Sequence, residues 1–185
     1  MNKGRFPGFV RQKGEKPGLQ ERNTAESKMK PDPPPVSEGR MHLYWGEGKG
    51  KTTAAVGLAV RAVGAGRSCC FLQFLKTEDS SERRVLERLP QVILPPLPPS
   101  MKFVFQMNPK EKRDTSALCS RLLQEGEAYL QQGCGLVVLD EVLGAIETGL
   151  LPEQELLGLL DRWKTEKWPG DLVLTGRFPS VALQK

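Results

Sequence analysis

The chain has a single histidine and only four cysteines, Cys69, Cys70, Cys119 and Cys134, with no Cys-x-x-Cys pair among them. Ligands for a zinc site are therefore almost lacking, and the disulfide framework of a small secreted domain is not expected. Long apolar runs are missing as well. Nothing approaches the ~18 residues of a membrane span, and the first 38 residues contain no apolar core of a secretory signal. Aromatic residues make up only 6% and apolar residues 38% of the chain, a low share for a fully folded protein. These absences point to a soluble protein of a reducing cytoplasm, part of it unfolded.

Proline and glycine are what the chain has in quantity, 15 and 19 among 185 residues, and they are unevenly placed. Residues 1–38 are rich in both and in charge, and Pro31-Asp32-Pro33-Pro34-Pro35 blocks helix formation just before the body. This segment reads as a disordered basic tail, and residues 39–185 as one domain. Three of the five net positive charges fall in the tail, from eight Lys/Arg against five Asp/Glu. The tail has no dense basic block, so a solvated tail is expected and not a nucleic-acid contact.

The body alternates short apolar runs with amphipathic ones. Strands are expected at Met41–Trp45, Ser68–Leu75, Gln91–Leu94, Leu136–Leu139 and Leu172–Leu174. Helices are expected at Lys51–Val63, Ser80–Leu89, Pro109–Gln132 and Glu153–Trp163. Phe103–Met107 reads as an extended apolar patch. The nearly continuous apolar strands are those of a sheet buried on both faces. The fold class expected is a doubly wound α/β domain with a mostly parallel sheet of the P-loop NTPase, RecA-like type.

The densest chemical signal is Gly46-Glu47-Gly48-Lys49-Gly50-Lys51-Thr52-Thr53, between an expected strand and an expected helix. Glycines let backbone N–H groups turn inward around phosphate oxygens, and the helix N-terminus adds partial positive charge. Lys51 supplies a point charge for the distal phosphates, and the Thr52 hydroxyl suits Mg²⁺. The usual pattern has a glycine where this chain has Trp45, and Lys49 is an additional cation in the loop.

Two further elements belong to the same sheet edge. Leu136-Val137-Val138-Leu139-Asp140-Glu141 is a strand that delivers carboxylates to its C-terminal end, where open α/β sheets bind ligands. One carboxylate there can hold Mg²⁺ directly or through water. Thr175-Gly176-Arg177 ends the last strand, and Arg177 can either pair with phosphate or sit as a surface arginine.

These motifs, in order with Gln73-Phe74-Leu75-Lys76 between them, resemble the P-loop-type cob(I)alamin (corrinoid) adenosyltransferases over roughly residues 40–177. That family also lacks the first loop glycine. The resemblance implies that a Co(I) corrinoid attacks the 5′ carbon of ATP and the whole triphosphate leaves. By position it implies triphosphate binding from Gly46 and from Gly48 to Thr53, Mg²⁺ served by Thr52 and Glu141, and Asp140 as a supporting partner. Lys51, Thr52 and Glu141 would be the catalytic set. Phe103 and Phe105 would wedge the lower axial ligand off the cobalt, Phe105 standing where family members can carry Trp. Two phenylalanines at i and i+2 fit the core of a strand equally well. A homodimer and a flavin-dependent reductase supplying electrons are also implied. The acceptor, complete cobalamin or a cobyrinic acid diamide, is left open.

The family pattern continues beyond Thr175-Gly176-Arg177 with a further helix and edge strand. The short segment Phe178–Lys185 does not supply them, so a C-terminally truncated domain is expected. Two other functions stay open at this point: a different P-loop ATPase or kinase, and a nucleotide-binding remnant without catalysis.

Overall fold

A computed structural model describes residues 38–184. The basic tail expected at 1–38 lies, but for Glu38, outside the described residues.

Five strands form one wholly parallel sheet: β1 (Met41–Trp45), β2 (Cys69–Gln73), β3 (Val92–Ile93), β4 (Leu136–Asp140) and β5 (Asp171–Gly176). Their order across the sheet is β1-β5-β4-β2-β3. β2 and β4 are buried at all five positions, as apolar strands covered by helices on both faces must be. The helices are α1 (Lys51–Gly64), α2 (Arg83–Leu86), α3 (Pro109–Gln131), α4 (Val142–Glu147) and α5 (Glu153–Thr165).

Side chains alternate between two cores. Phe71, Val138 and Val173 point to the face covered by α1 and α2 and meet Ala55, Ala59 and Leu86. Leu72, Leu139 and Leu174 point to the other and pack with Leu122, Leu130, Leu156 and Trp163 of α3 and α5. Burying a leucine such as Leu72 or Leu139 contributes roughly 2 kcal/mol. The small residues have a packing reason: a Cβ on Gly126 would meet Leu139 Cδ2 at 3.1 Å, so α3 lies close on the sheet.

α3 begins with a capping box. Asn108 Oδ1 accepts from the Glu111 N–H at 2.9 Å, Glu111 Oε2 accepts from the Asn108 N–H at 2.8 Å, and Pro109 stands at the first helical position.

Several local expectations need correction. The helix read over Ser80–Leu89 shrinks to Arg83–Leu86, because Pro90 stops it and so short a charged segment has little helical stability of its own. β2 ends at Gln73, and Leu75 turns the chain with φ 54°. The extended patch at Phe103–Met107 is instead a 3₁₀ turn over Val104–Gln106. α4 is an addition: its apolar residues continue the β4 pattern, so no change of period marks it in the sequence.

Candidate nucleotide site

Parallel pairing puts the C-terminal ends of β1, β5, β4 and β2 along one edge. Trp45 pairs with Gly176, Leu139 with Leu174, and Gln73 with Asp140. The four sequence motifs follow these strand ends and so converge on one corner.

The phosphate loop leaves β1 at Gly46, φ 122°, and enters α1 from Gly50, φ 104°. Both conformations are strained for any residue with a Cβ, which is why glycine stands at these positions. The Gly46 N–H donates to Arg177 O at 3.0 Å, tying the loop to the end of β5. Lys51 lies inside the loop, its ammonium donating to Gly46 O and, at 2.6 Å, to Gly48 O. Lys49, Thr53 and Arg177 are exposed at the rim.

Asp140 is the hub of the site, with no solvent exposure. Its Oδ1 accepts from the Thr52 hydroxyl at 3.0 Å and the Thr175 hydroxyl at 2.8 Å. Its Oδ2 accepts from Lys76 Nζ at 2.7 Å. Lys76 also donates to Glu82 Oε1 at 2.7 Å and lies 3.4 Å from Thr52 Oγ1. The Gln73 amide donates to the same Glu82 oxygen at 2.8 Å. Burial disfavours the charged form of Lys76, but Asp140 and Glu82 outweigh it and hold its pKa above the ordinary value.

Glu141 leaves β4 with φ 63° and donates its backbone N–H to the Thr175 hydroxyl at 2.8 Å. Its side chain folds over Gly144, where a Cβ would lie 2.7 Å from Oε1. Burial first, and then the charge of Asp140, push the Glu141 pKa up; Lys51, Lys76 and Arg177 pull it the other way. Gly176 closes the corner: with φ 152°, any Cβ there would run into Leu143.

The carboxylate touching Thr52 is thus Asp140, whereas the sequence reading pairs Thr52 with Glu141. Lys76 stands in the motif Gln73-Phe74-Leu75-Lys76, and the sequence assigns it no role. The available signal was its position after an apolar strand at this same edge. Only the fold shows that it meets Asp140.

Phe103 and Phe105 stand apart from this network. They stack on each other with centroids 5.6 Å apart, 71% and 81% exposed, so neither is a core residue. A groove of about 620 Å³ is lined by Lys76, Glu82, Met101 and Phe103 among others. It brings the Lys76–Glu82 pair and the start of the aromatic turn onto one surface.

The cysteines take no part. All four are free and buried, and burial pushes the Cys69 thiol up to about 12 and Cys119 to about 11. Neither of these two is a thiolate available for metal or nucleophilic chemistry. No helix of the described residues is long and apolar enough to cross a membrane.

A parallel α/β sheet with a Gly-Lys-Thr loop after its first strand and a buried aspartate on the loop threonine defines a P-loop nucleotide-binding protein. The family model described as ATP:corrinoid adenosyltransferase BtuR/CobO/CobP matches residues 37–185. The corrinoid adenosyltransferase CobA of Salmonella typhimurium is 32% identical over 148 residues, 75% of this chain and 68% of that protein. The corrinoid adenosyltransferase of Escherichia coli K12 is 30% identical over 146 residues, with the same shares covered. The chain belongs to the ATP:corrinoid adenosyltransferase family, enzymes that act on ATP and a corrinoid.

Proposed function

We propose that this chain moves the 5′-deoxyadenosyl group of ATP to a Co(I) corrinoid, with Gly46 and Gly48 to Thr53 around the triphosphate and Arg177 at its rim. The observation that carries this reading is the convergence of Lys51, Thr52, Asp140, Glu141 and Arg177 on one sheet edge. In the transfer a Co–C bond forms, the C5′–O bond breaks, and triphosphate leaves with the electron pair. Negative charge grows on that leaving group. Lys51, Lys49 and the N-terminus of α1 would stabilise it. For that role Lys51 exchanges the carbonyls of Gly46 and Gly48 for phosphate oxygens.

The residues at this corner fit Mg²⁺. No group of three or more His, Cys, Asp or Glu among the described residues could cage a metal. Mg²⁺ characteristically keeps waters and phosphate oxygens and takes only one or two carboxylates from protein. The Thr52 hydroxyl, with the Asp140 and Glu141 carboxylates, is a hard-oxygen set of that kind. When bound, Mg²⁺ supplies positive charge against the triphosphate oxygens.

The corrinoid is placed against Phe103 and Phe105, whose exposure leaves their faces free for a planar ring. Reduction of Co(II) consumes an electron that ATP does not provide, so an external reductant is required, and a flavin-dependent reductase is the partner that the resemblance implies. The free cysteines support a reducing cytoplasm. A homodimer follows from the resemblance and is checked by light scattering. The deciding experiment is incubation with Mg-ATP and chemically reduced cob(I)alamin. The expected products are a light-sensitive Co–C species and free triphosphate in equal amounts; ADP or inorganic phosphate in place of triphosphate would favour a P-loop ATPase.

A further inference from the structure

Lys76 lies where its charge would obstruct a metal ion. Its ammonium sits among Asp140 Oδ2, Glu82 Oε1 and Thr52 Oγ1 at 2.7, 2.7 and 3.4 Å. Two carboxylates and a hydroxyl around one point are donors that also suit a hard divalent cation. Two of the three, Thr52 and Asp140, are residues assigned above to Mg²⁺. Asp140 is fully buried, and a buried carboxylate without a counter-charge is costly. In the nucleotide-free protein Lys76 supplies that counter-charge.

We infer that Lys76 is a resident substitute for the divalent cation, its ammonium holding the place between Thr52 and Asp140 until the nucleotide-borne cation displaces it. The inference rests on the reading of Thr52 and Asp140 as cation ligands. An ammonium on Asp140 and a divalent cation on the same carboxylate repel each other, so binding the cation requires Lys76 to let go. Glu82 makes the release possible. It holds Lys76 independently of Asp140 and is itself held by Gln73 through the same oxygen. Free cation, without phosphate oxygens to add ligands, competes poorly with the ammonium. The corner therefore favours Mg²⁺ that arrives with ATP over Mg²⁺ alone. Lys76 is in this sense a positioning residue.

The test uses Mn²⁺ alone, without nucleotide, on the full chain, with free Mn²⁺ read by electron paramagnetic resonance. Lys76→Met should bind Mn²⁺ at least ~10-fold more tightly than wild type, because the competing charge is gone. Lys76→Arg, which keeps the charge, should stay close to wild type. Adding Asp140→Asn to Lys76→Met should abolish the gain. Equal or weaker binding by Lys76→Met, an equal gain in Lys76→Arg, or a gain that survives Asp140→Asn would each overturn the inference. If Lys76→Met is unfolded without metal, millimolar Mn²⁺ should restore its melting transition; failure to do so also overturns it. The catalytic reading is separated by the wild-type assay. A Mn²⁺ gain without any Co–C product would sink the adenosyl transfer and leave the exchange standing, and product without the gain would do the reverse.

Discussion

At the loop corner Asp140 is fully buried and accepts from Thr52, Thr175 and Lys76. At the aromatic turn Phe103 and Phe105 are mostly in water and stack chiefly on each other. The corner carries the densest signal in the sequence, whereas the two phenylalanines fit a strand core equally well there; both regions are proposed to meet substrate. Their energetics differ because a buried charge has to be satisfied by the fold itself, whereas an exposed ring can wait for a ligand. The buried Asp140–Lys76 pair is therefore satisfied without substrate, and breaking it should damage stability and function together. Changes at the turn should damage function alone.

The largest expected effect tests the corner. Asp140→Asn leaves Lys76 without its buried partner and should cost about 3 kcal/mol, the low end for a broken buried pair since Lys76 is partly solvated. Urea denaturation measures it, and a loss within error of zero would mean that the network does not bear on the fold. Next comes Lys51→Ala. It removes a charge from the loop interior and should slow adenosyl transfer by at least ~10²-fold at saturating ATP, with triphosphate release as the readout. An unchanged rate would move the site away from the loop.

Glu141 sharpens the comparison within the corner. Its folded pKa lies above the unfolded value, through burial and then Asp140, so its charged form is disfavoured in the fold. Its contribution to stability should improve as the pH falls through the folded pKa and be unfavourable above it. Metal-free Glu141→Gln should accordingly melt above wild type at neutral pH, and the difference should shrink as the pH falls through the folded pKa and vanish below the unfolded value. Under assay the same variant should need more Mg²⁺ for half-maximal rate. A variant that melts lower, with wild-type Mg²⁺ dependence, would make Glu141 a structural residue.

The smallest effect on stability belongs to the turn. Phe105→Ala should change stability by less than about 0.5 kcal/mol, as for other exposed positions. Turnover that starts from Co(II) should fall, while transfer from chemically reduced Co(I) is largely preserved. An equal loss in both assays would remove the wedge role, and a large drop in melting temperature would mean that the ring packs against a partner surface.

How far the corner was legible in the sequence varies from residue to residue. The run Gly46–Thr53 is a local device: glycine conformations, a helix N-terminus and adjacent Lys and Thr lie within eight positions, so its chemistry can be read without the fold. Asp140 and Glu141 are neighbours after one apolar strand, and nothing in the sequence orders them. The β4–β5 register sets Thr175 beside Asp140 and turns Glu141 into a left-handed conformation over Gly144. Phe103-Val104-Phe105 alternates like a strand, yet with no neighbouring strand to pair with, it closes into a 3₁₀ turn and exposes both rings.

The sequence by itself determined the α/β class, the continuous apolar strands and the phosphate loop, because period, burial pattern and glycine placement are short-range properties of the chain. Only the tertiary structure decided that Lys76 meets Asp140 across 64 positions and that Asp140 reaches Thr52 across 88. It also decided that β5 lies between the loop strand and the carboxylate strand. These are consequences of strand order, and strand order is chosen by how two helix layers cover both faces of one sheet, a global packing condition that no local window of residues contains.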